Sequence, residues 1–279
     1  MKKGASRFLS VFTLLSRLPV KASFEPDYSR ADFWIPAIAP AVSLSAAVGA
    51  GASFFLVRDP LLAALGGLAC QYLAFNLFHV DGLLDTADAM ATWATKERRL
   101  EILKDSRIGS YAFFFGWLFL TAKLALLGYI FRAGAAAAIA AILAAPLAGR
   151  AASALVPLVS RPARPEGLGA LMRGFSAWRY ALGILVGAAP LLAFGLALGG
   201  IGSVLHIGLA SRSLSFGLSL AVVSFCAVLA GAAAGGLSLA GIYKSKVGGF
   251  TGDALGAAVE AGELACLAIL AALAHFGAL

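Results

Sequence analysis

The stretch LLAALGGLACQYLAFNLFHV, Leu61–Val80, runs directly into Asp81-Gly82-Leu83-Leu84-Asp85-Thr86-Ala87-Asp88, and the reading of the whole chain follows from it. An uncharged, mostly apolar run of this length meets the roughly 20 residues that a helix needs to cross a bilayer. The carboxylates that follow are spaced i, i+4, i+7. On a helix that spacing keeps all three within roughly 60° of one face, at about 100° per residue. Like charges on one face repel and destabilise a bare helix. A hard divalent cation such as Mg²⁺, which prefers carboxylate oxygens, removes the conflict. A solvated acidic helix end is the plainer alternative, but Leu83, Leu84 and Ala87 between the acids suit a partly buried helix better.

The composition agrees with a membrane span. The chain has 279 residues, of which 61% are hydrophobic and 13% charged, with a mean hydropathy of +0.89. A soluble domain carries about 25% charged residues, so the expected class is an all-α, polytopic helical membrane protein. Cys70, Cys226 and Cys266 stand alone in apolar runs and read as small hydrophobes, without disulfide or zinc spacing. The net charge of +8 is read as basic membrane-flanking loops rather than as a nucleic-acid surface.

Taken in order, residues 1–32 are expected to form a cytoplasmic amphipathic segment. Phe8, Leu9, Phe12, Leu15 and Leu18 share a helix face, while Ser10, Ser16 and Arg17 interrupt the run and Pro19 ends it. That pattern suits an interfacial helix rather than a cleavable signal. Residues 33–279 are expected to form a single transmembrane bundle of about seven helices, at 33–57, 61–80, 111–131, 133–159, 180–198, 214–242 and 254–276. A loop spans 199–213, with a short interfacial helix at 201–209. Of the 22 Lys and Arg, only Arg58, Arg132 and Arg212 fall in outside loops, while Lys123 and Arg150 fall within spans; of the 14 acids, only Asp59 falls outside. The bias orients the N-terminus and any chemistry toward the cytoplasm.

Several constellations at that face invite chemistry. Lys104, Asp105 and Arg107, just before the third span, suit a phosphate clamp, Arg bidentately and Lys as a point charge, with Asp105 as a further metal ligand. They also suit an ordinary basic connector. Arg150, inside the fourth span, is expected to face an anion or an aspartate, with snorkelling as the alternative. Arg161, in a loop with Arg164 and Arg173, suits a basic lid. Lys246, Gly249, Thr251 and Gly252 lead into the last span and suit a backbone nest for an anion. Asp253, Glu260 and Glu263 follow on one side of that span, within about 80°, as a second acidic element for metal. Intramembrane acids default to functional readings. Together these groups suit Mg²⁺-assisted transfer of a phosphoryl group from a diphosphate to a hydroxyl.

His79-Val80-Asp81-Gly82-Leu83-Leu84-Asp85-Thr86-Ala87-Asp88, Ile102 through Tyr111 and Gly248 through Ala257 resemble three motifs of the cobalamin synthase (adenosylcobinamide-GDP ribazoletransferase) family, and Phe12 through Val20 resembles its start. The resemblance covers essentially the whole chain in order. It implies a Mg²⁺-dependent integral enzyme of a bacterial or archaeal inner membrane. The enzyme joins adenosylcobinamide-GDP to the 5′-hydroxyl of α-ribazole, or alternatively to α-ribazole 5′-phosphate, and releases GMP. It leaves room for a homo-oligomer and none for a nucleic-acid partner. By motif, Asp81, Asp85 and Asp88 carry over as the metal face, Lys104, Asp105 and Arg107 as diphosphate or metal contacts, and Asp253, Glu260 and Glu263 as the second acidic element. The stretch Ala89-Met90-Ala91-Thr92 departs from the Gly-rich continuation of that family. A CDP-alcohol phosphotransferase-like or prenyltransferase-like enzyme, or a cation-coupled transporter with Asp81, Glu260 and Glu263 as ion ligands, are the alternatives.

Overall fold

The computed structural model describes residues 3–204, 210–277 and 279, and the side chains of these outside 200–214. Among them, seven stretches are long and apolar enough to cross a membrane: Ala31–Val57, Pro60–Ala91, Ser110–Ala133, Ala135–Val159, Ala177–Gly199, Ser215–Val247 and Gly252–His275. No strand occurs among the described residues beyond one isolated parallel bridge, Pro162 to Phe250.

Helix α1 (Lys3–Leu15) precedes the spans. Part of its apolar face packs on protein. Val11 and Leu15 are buried, Phe8 meets Trp34 edge-on at 5.3 Å and Phe12 meets Phe75 at 5.9 Å. The first span is broken at Ile38 into α2 (Ala31–Ala37) and α3 (Ala39–Val57). Pro36 and Pro40 flank the break, and neither offers an N–H to a continuous ladder. The tight turn expected at Arg58-Asp59-Pro60 is present. Arg58 takes the left-handed conformation at φ 59°, and Asp59 caps α4 (Pro60–Gln71) by accepting from the Leu62 amide at 2.9 Å.

The second span continues through a π-helical turn, Tyr72–Asn76, into α5 (Leu77–Ala91), so the three aspartates lie on the helix itself. A short helix, α6 (Lys96–Ile102), follows, capped by Thr95. Helices α7 (Ser110–Ala133) and α8 (Ala135–Val159) form the next two spans. A single turn, α9 (Leu168–Leu171), precedes α10 (Ala177–Val204), α11 (Ala210–Val247) and α12 (Gly252–His275). Helices α10 and α11 both reach into the segment expected to be a loop at 199–213. The interfacial helix expected at 201–209 falls in part on 205–209, outside the described residues.

Helix α8 is the hub. It packs on α10, α11 and α12 and is the most buried of the spans. Its run of alanines lets neighbouring backbones approach closely, as small residues do where no water drives association. The crossing of α5 with α12 is closer still. A Cβ added at Gly82 would lie 2.8 Å from the Asp253 carbonyl oxygen, and one at Gly256 2.9 Å from that of His79. This contact sets the aspartates of α5 beside the start of α12. Asp32, fully buried, ties the first span to α10 by accepting from the Ser176 amide at 2.7 Å and Arg179 Nε at 2.8 Å.

The crossing yields a prediction. Gly256→Ala pushes a methyl against backbone that cannot rotate away and is expected to cost about 1–3 kcal/mol. Gly51→Ala, on α3 with open space around the new methyl, is expected to be neutral or slightly stabilising. Thermal unfolding of both variants in detergent checks the pair, and equal midpoints would contradict the close crossing.

Candidate active site

Asp81 and Asp85 stand one turn apart along α5, and Asp253 in the first turn of α12, where Thr251 Oγ1 donates to its carboxylate at 2.9 Å. Asp81 is exposed, and Asp85 and Asp253 are half-buried. A cavity of about 190 Å³ opens beside Asp81 and Asp85, and Asp253 is not among the residues that line it. Its lining includes Asp81, Asp85, Asp88, Lys104, Asp105 and Arg107, so every residue put forward from sequence as catalytic reaches the same space.

These six residues do not hold equivalent positions. The Asp88 carboxylate accepts from the Gly109 amide at 2.7 Å and from the Ala112 amide at 2.9 Å. It therefore caps α7 from a neighbouring helix, satisfying donors that a helix start leaves open. A Cβ on Gly109 would lie 2.5 Å from that carboxylate, so only glycine admits the contact. The orientation of Asp88 is thus set by α7, which corrects its placement as an equal third ligand of a metal face. Arg107 folds back on Asp105, with Nε at 2.9 Å and Nη2 at 2.6 Å. The hydrogen bonds from Arg107 hold the Asp105 carboxyl down at about 2. This pair sits at the surface, with the Arg107 side chain 87% exposed, so it is exchangeable at small cost. Lys104 is exposed and has no ion-pair partner among the described residues.

Other residues proposed as anion contacts have structural partners. Lys246 donates to the Met90 carbonyl at 2.6 Å. Arg99 donates to the carbonyls of Ala89 and of Met90, the latter at 3.2 Å. Two cations therefore close the C-terminus of α5, where the helix dipole favours positive charge. The expectation that Lys246 contacts an anion is corrected accordingly. Nothing in the sequence sets Arg99 apart from its charged neighbours on α6; its burial reveals the role. Gly249 sits against the Arg161 carbonyl, which accepts from the Phe250 amide at 2.9 Å. The Arg161 side chain lines a different cavity. Gly252 opens α12 against Leu168. Arg164 donates to the Leu100 carbonyl at 2.7 Å and acts electrostatically on Asp253.

The largest correction concerns Glu260, Glu263 and Arg150. They are buried within the bundle and bound to one another. Lys123 Nζ lies 2.5 Å from Glu260 and 2.7 Å from Glu263. Arg150 pairs with Glu263 through Nη1 and donates to Asn76 Oδ1 at 2.5 Å through Nη2. Gln71 donates to both oxygens of Glu263 at 2.9 and 3.0 Å, Asn76 reaches both glutamates, and the Tyr72 hydroxyl donates to Glu260. The π-turn brings Tyr72 and Asn76 together on this side; such turns recur at functional sites. Two cations thus offset two carboxylates, which is how buried charge becomes tolerable. Glu260 and Glu263 do not join the aspartate cavity, and Arg150 meets an acid of α12 rather than a ligand or an aspartate. With its interior acids so committed, the transporter reading loses the ligands it needed.

Among the described residues no group of three His, Cys, Asp or Glu side chains is placed to hold a metal ion by itself. The open donor set still suits Mg²⁺, which keeps several waters and is held by one or two carboxylates together with substrate phosphates. Asp81, Asp85 and Asp253 are the acids left open for such a role.

A model of the family described as "Cobalamin-5-phosphate synthase" matches residues 7–271. Proteins named adenosylcobinamide-GDP ribazoletransferase are similar over nearly their whole length. The one from Bradyrhizobium diazoefficiens is 34% identical over 94% of this chain and 91% of its own. That from Klebsiella pneumoniae is 33% identical over 94% and 98%, and that from Geobacillus kaustophilus 30% over 94% of each. No solved structure matches the chain.

The interior cluster predicts a characteristic pattern of stabilities. Lys123→Met leaves Glu260 and Glu263 short of a cation and is expected to cost about 3–5 kcal/mol. Lys123→Met combined with Glu260→Gln removes one charge of each sign and is expected to recover much of that loss. Unfolding midpoints of the single and double variants in detergent are the measurement; a double variant that is the less stable of the two would contradict a charge-balanced cluster.

Proposed function

The chain belongs to the cobalamin-5-phosphate synthase family, and on that premise we propose that it transfers the adenosylcobinamide phosphate moiety of adenosylcobinamide-GDP to a free ribose hydroxyl of α-ribazole, or of α-ribazole 5′-phosphate, whose 5′ oxygen is already esterified. The observation that carries this reading is the single cavity into which Asp81, Asp85, Lys104 and Arg107 all reach. The ribazole oxygen forms a bond to the phosphorus next to cobinamide. The bond from that phosphorus to the bridging oxygen breaks, and the bridging oxygen leaves with GMP. The hydroxyl proton passes to a carboxylate. Asp81, the most exposed of the acids, stands where an incoming hydroxyl arrives and takes this proton.

Asp85, which lines the cavity, and Asp253, whose charge acts on Asp85 from the start of α12, are the residues we assign to Mg²⁺. When bound, the ion neutralises the diphosphate and stabilises the leaving oxygen. Lys104 holds a diphosphate oxygen as a point charge. Arg107 grips the same group bidentately after releasing Asp105, an exchange of one exposed partner for another. Asp88 acts at one remove: by capping α7 it holds Gly109 and the preceding loop, and with them Lys104 and Arg107, against the cavity.

The basic residues flanking the spans cluster at this end, which supports placing the cavity on the cytoplasmic side of a bacterial or archaeal inner membrane. A soluble nucleotide-linked substrate and its GMP product are then on the side where nucleotides are held.

The test is an assay of the purified protein in detergent or liposomes, with adenosylcobinamide-GDP and α-ribazole. GMP release with cobalamin formation is expected, and omission of Mg²⁺ abolishes it. Asp85→Asn is expected to lower kcat by about 100-fold or more, the scale seen when one preorganised electrostatic group is removed. Arg107→Ala is expected to raise KM more than it lowers kcat. No turnover in a folded wild type would overturn the assignment, and full activity in Asp85→Asn would remove the ion from Asp85.

A further inference from the structure

Arg161, read from sequence as part of a basic lid, lines a second cavity of about 610 Å³ at the same end of the bundle. This cavity shares no lining residue with the aspartate cavity. It lies between the last turns of α8 and α11. One wall is apolar, from Pro157, Leu158 and Val159; the rim carries Arg161 and Lys244. Both cations are exposed, and neither has an ion-pair partner among the described residues. A third cation stands behind them, because Lys96 Nζ lies 2.8 Å from the position of a Cβ on Gly248, which also lines the cavity.

The backbone under these cations is fixed. Phe250 and the 161–163 segment exchange hydrogen bonds, Phe250 N to Arg161 O at 2.9 Å and Ala163 N to Phe250 O at 2.8 Å. Lys244 stands on the final turn of a helix. The level of the cavity is equally defined. Exposed Tyr111 and Trp178 sit at the starts of α7 and α10, at the same end of the bundle. Amphipathic rings in such positions mark the headgroup region of a bilayer. Val159, 49% exposed at the end of α8, carries the apolar wall to the outer surface of the bundle.

A phosphate group satisfies the unpaired cations. An apolar wall that reaches the bundle surface at the headgroup level suits a phosphate that carries acyl chains. We infer that this cavity binds the phosphate of an anionic phospholipid, held by Arg161 and Lys244 with Lys96 behind them, its chains lying along Val159. Basic pockets between spanning helices bind anionic headgroups by the same means.

Native mass spectrometry of the full chain, released from detergent micelles supplied with phosphatidylglycerol or phosphatidylcholine of equal chain length, tests this. Wild type is expected to retain phosphatidylglycerol in preference to phosphatidylcholine. Lys244→Gln, and Lys244→Gln with Arg161→Gln, are expected to lose that adduct by about fivefold for each cation removed. Excess GDP is expected to leave the adduct in place. Equal retention of the two lipids, or retention unaffected by either substitution, would overturn the site. Displacement of the lipid by GDP would overturn the lipid assignment and make the cavity one for a soluble phosphate. Since the readout is binding, it does not depend on the reaction proposed above.

Discussion

Four charges buried in the bundle interior constrain everything around them. Lys123 comes from the third span, Arg150 from the fourth, and Glu260 and Glu263 from the seventh; Gln71, Tyr72 and Asn76, from the second, complete the hydrogen bonds. Charges taken out of water are costly unless each meets an opposite charge and further donors. Satisfying all of them at once leaves little freedom in the rotation and depth of four spans. A slip of α7, α8 or α12 would strand a charge, so the network resists such slips far more strongly than apolar packing against lipid-like surfaces does.

The same helices carry the open acids. Asp253 lies seven residues before Glu260, roughly 10 Å along α12 at 1.5 Å per residue, and Asp81 follows closely on Asn76 along α5. A neutral cluster below therefore sets the separation of unneutralised carboxylates above. Gly82 and Gly256 allow the two helices to touch between these levels. Around the cavity, charged groups finish helix ends: Asp88 at the start of α7, Arg99 and Lys246 at the end of α5. After those duties Asp81, Asp85, Asp253 and Lys104 remain open, and that remainder is what chemistry has to use.

This separation of roles also explains why the two acidic elements of the chain behave differently. Both present acids at helical spacing next to apolar runs. The acids of α5 end at a membrane face, with water and loops nearby. Those of α12 begin at that face with Asp253 and then descend into the bundle, where the only stable arrangement is one in which cations from other spans meet them.

Much of the architecture was legible in the residues themselves. Apolar runs of bilayer length, separated by short basic connections, specify seven spans, because a backbone in lipid must satisfy its own hydrogen bonds and helices do so locally. The i, i+4, i+7 spacing of Asp81, Asp85 and Asp88 places them on one face for the same local reason. Partnership across the bundle was not legible. That Lys123 and Arg150 meet Glu260 and Glu263, that Asp88 caps a helix begun 22 residues later at Ser110, and that Lys246 and Arg99 close α5 depend on which spans become neighbours. Sequence determined the helices, their order and the faces that carry charge, since these follow from periodicity and hydropathy along a single segment. The tertiary structure alone decided which of those charges neutralise one another and which stay open, because that depends on distances between residues far apart in the chain.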